Sequence, residues 1–169
     1  MRKVSVARCA FVVLTLSTLA VSGADKTVTI KEAGFEITFP EAWKQLDKER
    51  LFGSAVRFSY SNDVFVSVDA VNLKVGTTLD SFVDNQTREL GELTEVTATE
   101  KVKIGESEAR KVLFQIFVGT VAGHPTRLDY YLVSGKRGFV ISIRSGEAAT
   151  YPAKDIDAIV RSFKLIEAK

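Results

Sequence analysis

Cysteine is almost missing from this chain: Cys9 is the only one among 169 residues, and it sits inside an apolar N-terminal stretch. One cysteine cannot form an intrachain disulfide or a multi-thiolate metal site. Histidine is equally scarce. His124, in "AGHPT", is the single imidazole, so a zinc site would need three carboxylates or waters as its other ligands. Its position before Pro125 reads instead as an idle hairpin tip. No G-x-S-x-G elbow is present, and Ser54 in "FGSAV" does not match one. The glycines are scattered through turns, so there is no phosphate-cradling loop. Asp63 and Asp69 are too far apart for a calcium loop, and "GESE" holds only Glu106 and Glu108. No catalytic residue, metal site or cofactor is therefore expected.

Long hydrophobic runs are also lacking. The longest, residues 9–21, spans 13 positions, against the ~20 a membrane-crossing helix needs. It follows Arg2, Lys3 and Arg8 and precedes the small residues Ser22, Gly23 and Ala24. That order is expected of a secretory signal peptide over residues 1–24, cleaved before Asp25. The expected product is a single domain over residues 25–169, exported to the periplasm or the medium of a bacterium. It has no transmembrane span after cleavage. Removing Arg2, Lys3 and Arg8 from the 23 basic residues leaves 20 against 21 acidic ones. A near-neutral balance gives no electrostatic reason to bind nucleic acid or an anionic membrane. Without disulfides, an apolar core alone must hold the domain.

What is present is mostly alternation. Phe35, Ile37 and Phe39 alternate with polar residues until Pro40, which cannot donate to a strand ladder. Val56, Phe58 and Tyr60 form a second face, "SND" a turn, and Val64, Val66, Val68 and Ala70 a third. The period then changes: Leu79, Phe82, Val83 and Leu90 predict a helix capped by Thr77 with Asp80 as its box partner, ending near Gly91. Val96, Ala98, Val102 and Ile104 resume the strands. "EARKVLFQIFVGTV" is apolar on both sides, as a strand covered on both faces must be. "RLDYYLV" and "FVISIRS" follow after short turns and complete an antiparallel meander. Ile156, Ile159, Val160 and Phe163 predict a closing helix that starts at Thr150 and Pro152. The order predicts an α+β fold: an α/β/α sandwich with a single antiparallel sheet of about seven strands and helices on both faces. The alternative puts both helices on one face.

Four stretches, taken in order, resemble the PsbP-like superfamily, which includes the extrinsic PsbP proteins, bacterial DcrB-like periplasmic proteins and a nuclear Ran-binding relative. "GFEITFPEAW" resembles its opening strand, proline and tryptophan. "TTLDSFVDNQTREL" resembles its long helix, "KVKIGESEARKVLFQI" its strand–Gly-turn–strand, and "AIVRSFKLI" its closing helix with a Ser-Phe pair. The resemblance spans residues 34–166. It implies an α/β/α fold and a binding, assembly or chaperone-like role. It supplies no active-site residues.

Two functional readings follow. The first is an exported, non-catalytic binding protein whose partner is another exported or membrane-associated protein. The second is a small pocket enzyme of the NTF2-like type, an isomerase or hydrolase. Such enzymes hold an acid in an apolar pocket. Asp69 and Asp129 are the only acids here with apolar neighbours, and alternation places both on polar sides. Tyr131, Tyr151 and His124 are the candidate partner-facing residues. Trp43, the only tryptophan, is read as a plug for the open end of the sheet, with its N–H satisfied at the rim.

Overall fold

The structure is a computed structural model; the residues described are 24–47, 53–91, 93–117, 126–146 and 152–167. Strands β1 (Lys26–Ile30) and β2 (Phe35–Phe39) form a hairpin, turned at Gly34 with a positive φ of 79°. β3 (Lys44–Gln45), β4 (Val56–Ser59) and β5 (Val64–Asn72) lead to helix α1 (Leu79–Glu89). β6 (Thr94–Ile104), β7 (Ser107–Ile116), β8 (Thr126–Ser134) and β9 (Arg137–Ser145) run as the expected meander, followed by α2 (Ala153–Ser162) and β10 (Lys164–Leu165). Seven strands join in one antiparallel sheet of order β3-β4-β5-β9-β8-β7-β6. The chain is α+β, and its two helices contribute to cores on opposite sides of that sheet.

One strand lies elsewhere than expected. "FEITF" belongs to a second, three-stranded sheet of order β1-β2-β10. Its fully buried Phe35, Ile37 and Phe39 share one core with Phe58, Val66, Phe139 and Ile141 of the large sheet. Alternation fixes only that one face is buried. A strand laid across a sheet satisfies it as well as a strand paired within one.

The Ser-Phe pair at the end of α2 joins the layers. Ser162 Oγ accepts the Thr38 amide at 2.9 Å, and its hydroxyl lies within reach of the Thr38 and Ile159 carbonyls. Phe163 stacks on Phe35 with centroids 5.5 Å apart. Phe39 stacks on Phe58 at 3.7 Å. Trp43 closes the same end of the core. It is only 3% exposed, and its Nε1 donates to Asp155 Oδ2 in the first turn of α2 at 3.2 Å. The indole is thus the expected plug, with Tyr60 as a half-covered neighbour at 5.4 Å.

On the other face, Phe82 and Val83 of α1 pack with Val112, Phe114, Tyr131 and Val140. The capping residue is Thr78 rather than Thr77. Its Oγ1 accepts the Ser81 amide, and Ser81 Oγ accepts the Thr78 amide. Asp80 instead pairs with Arg110 of β7 at 2.7 Å. Gly91 follows the C-cap Leu90 with φ 77°, where the helix was expected to end.

Two substitutions probe this packing. Trp43→Ala should cost about 3–5 kcal/mol, measured as a lower denaturation midpoint with an unchanged m-value. Gly138 in β9 lies where an added Cβ would come within 2.6 Å of Phe82 Cζ. Gly138→Ala should therefore cost about 1–3 kcal/mol by overpacking. Truncating Phe82 as well should recover no stability if that contact is absent, and part of it if the contact is real.

Candidate functional site on the helix-covered face

β8 is buried on both sides: residues 128–132 are all buried. Arg127, Asp129 and Tyr131 alternate onto the α1 side of the sheet. Asp129 is fully buried there, which corrects the expectation that alternation would leave it on a polar side. Alternation implies a wet face only when one face is wet, and here neither is. Tyr131 is also fully buried, so it is not part of a partner surface. Its ring packs edge-on against Phe82 at 5.9 Å. Aromatic volume opposite α1 takes it inward. His124 and Tyr151 lie outside the described residues. Asp69 is half-buried on the same face as Asp129.

The three β8 side chains form a closed polar unit. Arg127 Nε donates to Asp129 Oδ1 at 2.9 Å, and Nη2 meets Oδ2 at 2.8 Å. Tyr131 donates its hydroxyl to the same Oδ2 at 2.8 Å. Arg127 Nη2 also reaches Ser142 Oγ at 3.3 Å. A two-point guanidinium–carboxylate fork is the strong geometry for such a pair. Burial by itself would push the Arg127 guanidinium down; the bond to Asp129 and its charge outweigh that and leave it raised. Burial, then the Asp129 charge and bond, raise the Tyr131 phenol far above its ordinary value. The phenol is therefore a fixed donor. The carboxylate has its oxygens taken by neighbours that do not titrate near neutrality, and this unit offers no acid or base free to move a proton.

Register places more arginine beside it. Arg57 faces Ser67 across β4 and β5. Phe65, Arg144 and Arg127 stand opposite one another across β5, β9 and β8. The Arg57 guanidinium lies 4.6 Å from the centroid of Phe65, and that of Arg127 lies 5.8 Å from Phe114. Arg144 is exposed. Its guanidinium is lowered first by burial of its surroundings and next by repulsion from Arg127.

The "GKRG" tip, read from sequence as a soluble turn, is partly engaged: Arg137 donates to the Glu32 carbonyl across the β1–β2 turn. Among the clefts of the described surface are five of about 130 to 300 Å³, and Asp129 and Tyr131 line none of these five. Their volumes fall at or below the lower end of small-molecule pockets, ~300 Å³. Among the described residues no group of three His, Cys, Asp or Glu gathers to hold a metal ion. No described helix is long and apolar enough to cross a membrane.

No family profile matches the chain, and no curated protein matches it by sequence. Solved structures do. The cyanobacterial PsbP (CyanoP) from Synechocystis sp. PCC 6803 aligns at 16% identity over 94% of this chain and 98% of its own, with a TM-score of 0.63. The Saccharomyces cerevisiae Ran-binding protein Mog1p aligns at 14% identity over 85% and 96%, with a TM-score of 0.57. A Bacteroides thetaiotaomicron protein aligns at 14% over 83% of this chain and 48% of that one, with a TM-score of 0.59. These likenesses show that the chain shares the fold of the cyanobacterial PsbP, the fold that the sequence stretches implied.

The buried unit makes two measurable predictions. Asp129→Asn should leave Arg127 charged and uncompensated, and cost about 3–5 kcal/mol of stability in chemical denaturation. Tyr131→Phe should cost about 0.5–1.5 kcal/mol near neutrality. Its pH dependence follows from the raised phenol. Above about pH 10 an unfolded tyrosine loses its proton while the folded one keeps it. The native state then binds more protons, and stability falls as pH rises. Tyr131→Phe removes that slope, up to about 1.4 kcal/mol per pH unit. The gap between variant and wild type should narrow above pH 10; a gap constant to the point of alkaline unfolding contradicts the assignment.

Proposed function

We propose that this chain is an exported, non-catalytic binding or assembly protein of the PsbP-like or DcrB-like kind, and that its partner is another exported or membrane-associated protein. The observation carrying this reading is the fate of Asp129. A buried carboxylate is the usual mark of a pocket enzyme, but this one is closed off by Arg127 and Tyr131 and lines none of the five clefts. The likeness to PsbP and to a Ran-binding protein supports a binding role by analogy of fold, which is an associational argument. The charged, apolar and small-residue order of residues 1–24 supports export.

The second reading, an NTF2-like isomerase or hydrolase, keeps one argument: Asp129 is buried, as the acid of such an enzyme would be. Asp129→Asn separates the two. A working acid replaced by an amide should abolish turnover at little cost in stability. A structural carboxylate should lose stability, while the molecules that remain folded keep their partner.

The test of export and partnership is made on the native host. The protein recovered from the exported fraction should begin at or near Asp25 by N-terminal sequencing. Crosslinking in that fraction should yield a defined complex that can be rebuilt from its purified components. A native protein still carrying Met1 would overturn export.

A further inference from the structure

We propose that β6, the outer edge of the large sheet, takes up an extended segment of a partner protein as a further strand. This rests on the reading of the chain as a protein-binding module, and adds the surface and the mode of binding. Among the described strands β6 pairs with β7 alone. Its other side is an open row of backbone N–H and C=O groups along a strand of 11 residues. Residues 95–101 are all exposed, the apolar Val96 among them. A β-bulge lies between Val96 and Ala98, and from Ala98 to Ile104 the pairing with β7 is unbroken. That unbroken stretch is the template.

Thr99, Lys101 and Lys103 stand opposite Val112, Arg110 and Glu108. Val112 belongs to the α1 core, so this row rises on the α1 side. Ala98, Glu100 and Val102 stand opposite Leu113, Lys111 and Ala109 and rise on the β2–α2 side. Clefts flank both rows. On the α1 side, one of about 260 Å³ is bounded by Val83, Asp84, Val96 and Thr99. Beside it, one of about 300 Å³ is bounded by Lys101, Lys103, Glu108 and Arg110. On the other side a cleft of about 130 Å³ is lined by Ala98, Leu113 and Leu128, next to the Lys111–Glu100 pair. An added strand sends successive side chains to alternate faces. Recognition of this kind draws affinity from the backbone and specificity from alternating pockets.

The charges on the α1 side are sorted along the strand. Asp80 is held by Arg110, whereas the carboxylate of the exposed Asp84 has no ion pair or hydrogen bond among the described residues. The cleft at Thr99 is therefore negative, and the one at Lys101 and Lys103 positive. The segment that fits carries a cation opposite Thr99, anions opposite Lys101 and Lys103, and aliphatic side chains between them. Edge lysines also guard a sheet against uncontrolled pairing. Here they repel a strand of the wrong charge order and admit the matching one.

The test uses two blocked heptapeptides titrated into the folded chain by calorimetry. One reads Val-Lys-Val-Glu-Val-Glu-Val and fits a parallel strand; the other is its reverse and fits an antiparallel one. They share composition and net charge. One of them should bind at least about tenfold more tightly, since the other brings like charges together. Asp84→Lys should weaken the preferred peptide by at least about tenfold for the same reason. Asn85→Lys makes a similar change of charge one residue along α1, outside the clefts, and should bind as wild type. The backbone is tested separately. In an added strand only alternate N–H groups point at β6. N-methylation of the charged residues or of the valines should therefore abolish binding in one case and leave it in the other. Binding of neither heptapeptide at millimolar concentration, equal binding of both, or loss in both methylated sets or in neither overturns the proposal. The complex in the exported fraction is a separate measurement: if it is recovered while neither heptapeptide binds, the partner reading stands and this surface falls.

Discussion

Burial of the central strands on both faces is the constraint from which the rest follows. β8 and β9 lie between α1 on one side and the β2–α2 layer on the other. Along residues 128–132 and 138–143 neither parity of side chain reaches water, so every polar group there must find its partner inside. Asp129 meets that condition with Arg127 and Tyr131, two residues away on either side and therefore on the same face. A buried fork of this kind contributes little net stability compared with apolar packing, but breaking it is expensive. Its effect is to fix which side of β8 faces α1, because a one-residue slip would leave the carboxylate facing the apolar β2–α2 core.

The same constraint explains what was legible in the sequence. Double-faced burial shows as consecutive apolar residues, and "EARKVLFQIFVGTV" displayed it plainly. The meander, the opposite placement of the helices and the Trp43 plug all followed from period, spacing and short turns. Asp129 was misplaced because alternation was applied to a strand that the same reasoning had placed in a double-covered sheet. The local signal was there: Arg127, Asp129 and Tyr131 recur at every second position, which sets a cation, an anion and a phenol side by side. The small sheet was not legible. Phe35, Ile37 and Phe39 record that one face is buried, and nothing in a two-residue period states which sheet buries it. The cap at Thr78 was missed for a smaller reason: serine closed the box as well as an acid could, which freed Asp80 for Arg110.

The two cores are held differently. The β2–α2 side is closed by aromatic stacking, Phe39 on Phe58 and Phe35 on Phe163, with Ser162 and Trp43 satisfying polar groups at its margin. The α1 side is thinner. Its buried set is six residues, against the much larger cluster opposite. Gly138 lets Phe82 approach the β9 backbone there, where any side chain would push it off. That difference makes α1 the more weakly attached layer, tied by Phe82, by Val83 and by the exposed-side Asp80–Arg110 pair.

The size of α1 then sets what lies beside it. Eleven residues make a helix about 16 Å long, while seven strands at ~4.8 Å spacing make a sheet about 29 Å across. The helix packs mainly on β8 and β7, with Phe82 reaching the β9 backbone at Gly138. Side chains rising from the half of the sheet beyond it must tolerate water, and the sequence supplies Arg57, Ser67, Asp69 and Arg144 there. Solvent tolerance alone would be met by any mixture of charges. Concentrating arginines around an aromatic row is a narrower choice, since each guanidinium can lie flat on apolar surface and still present its donors. The short helix thus divides one sheet face in two. One half is sealed over an internally neutralised carboxylate, and the other carries the exposed Arg144.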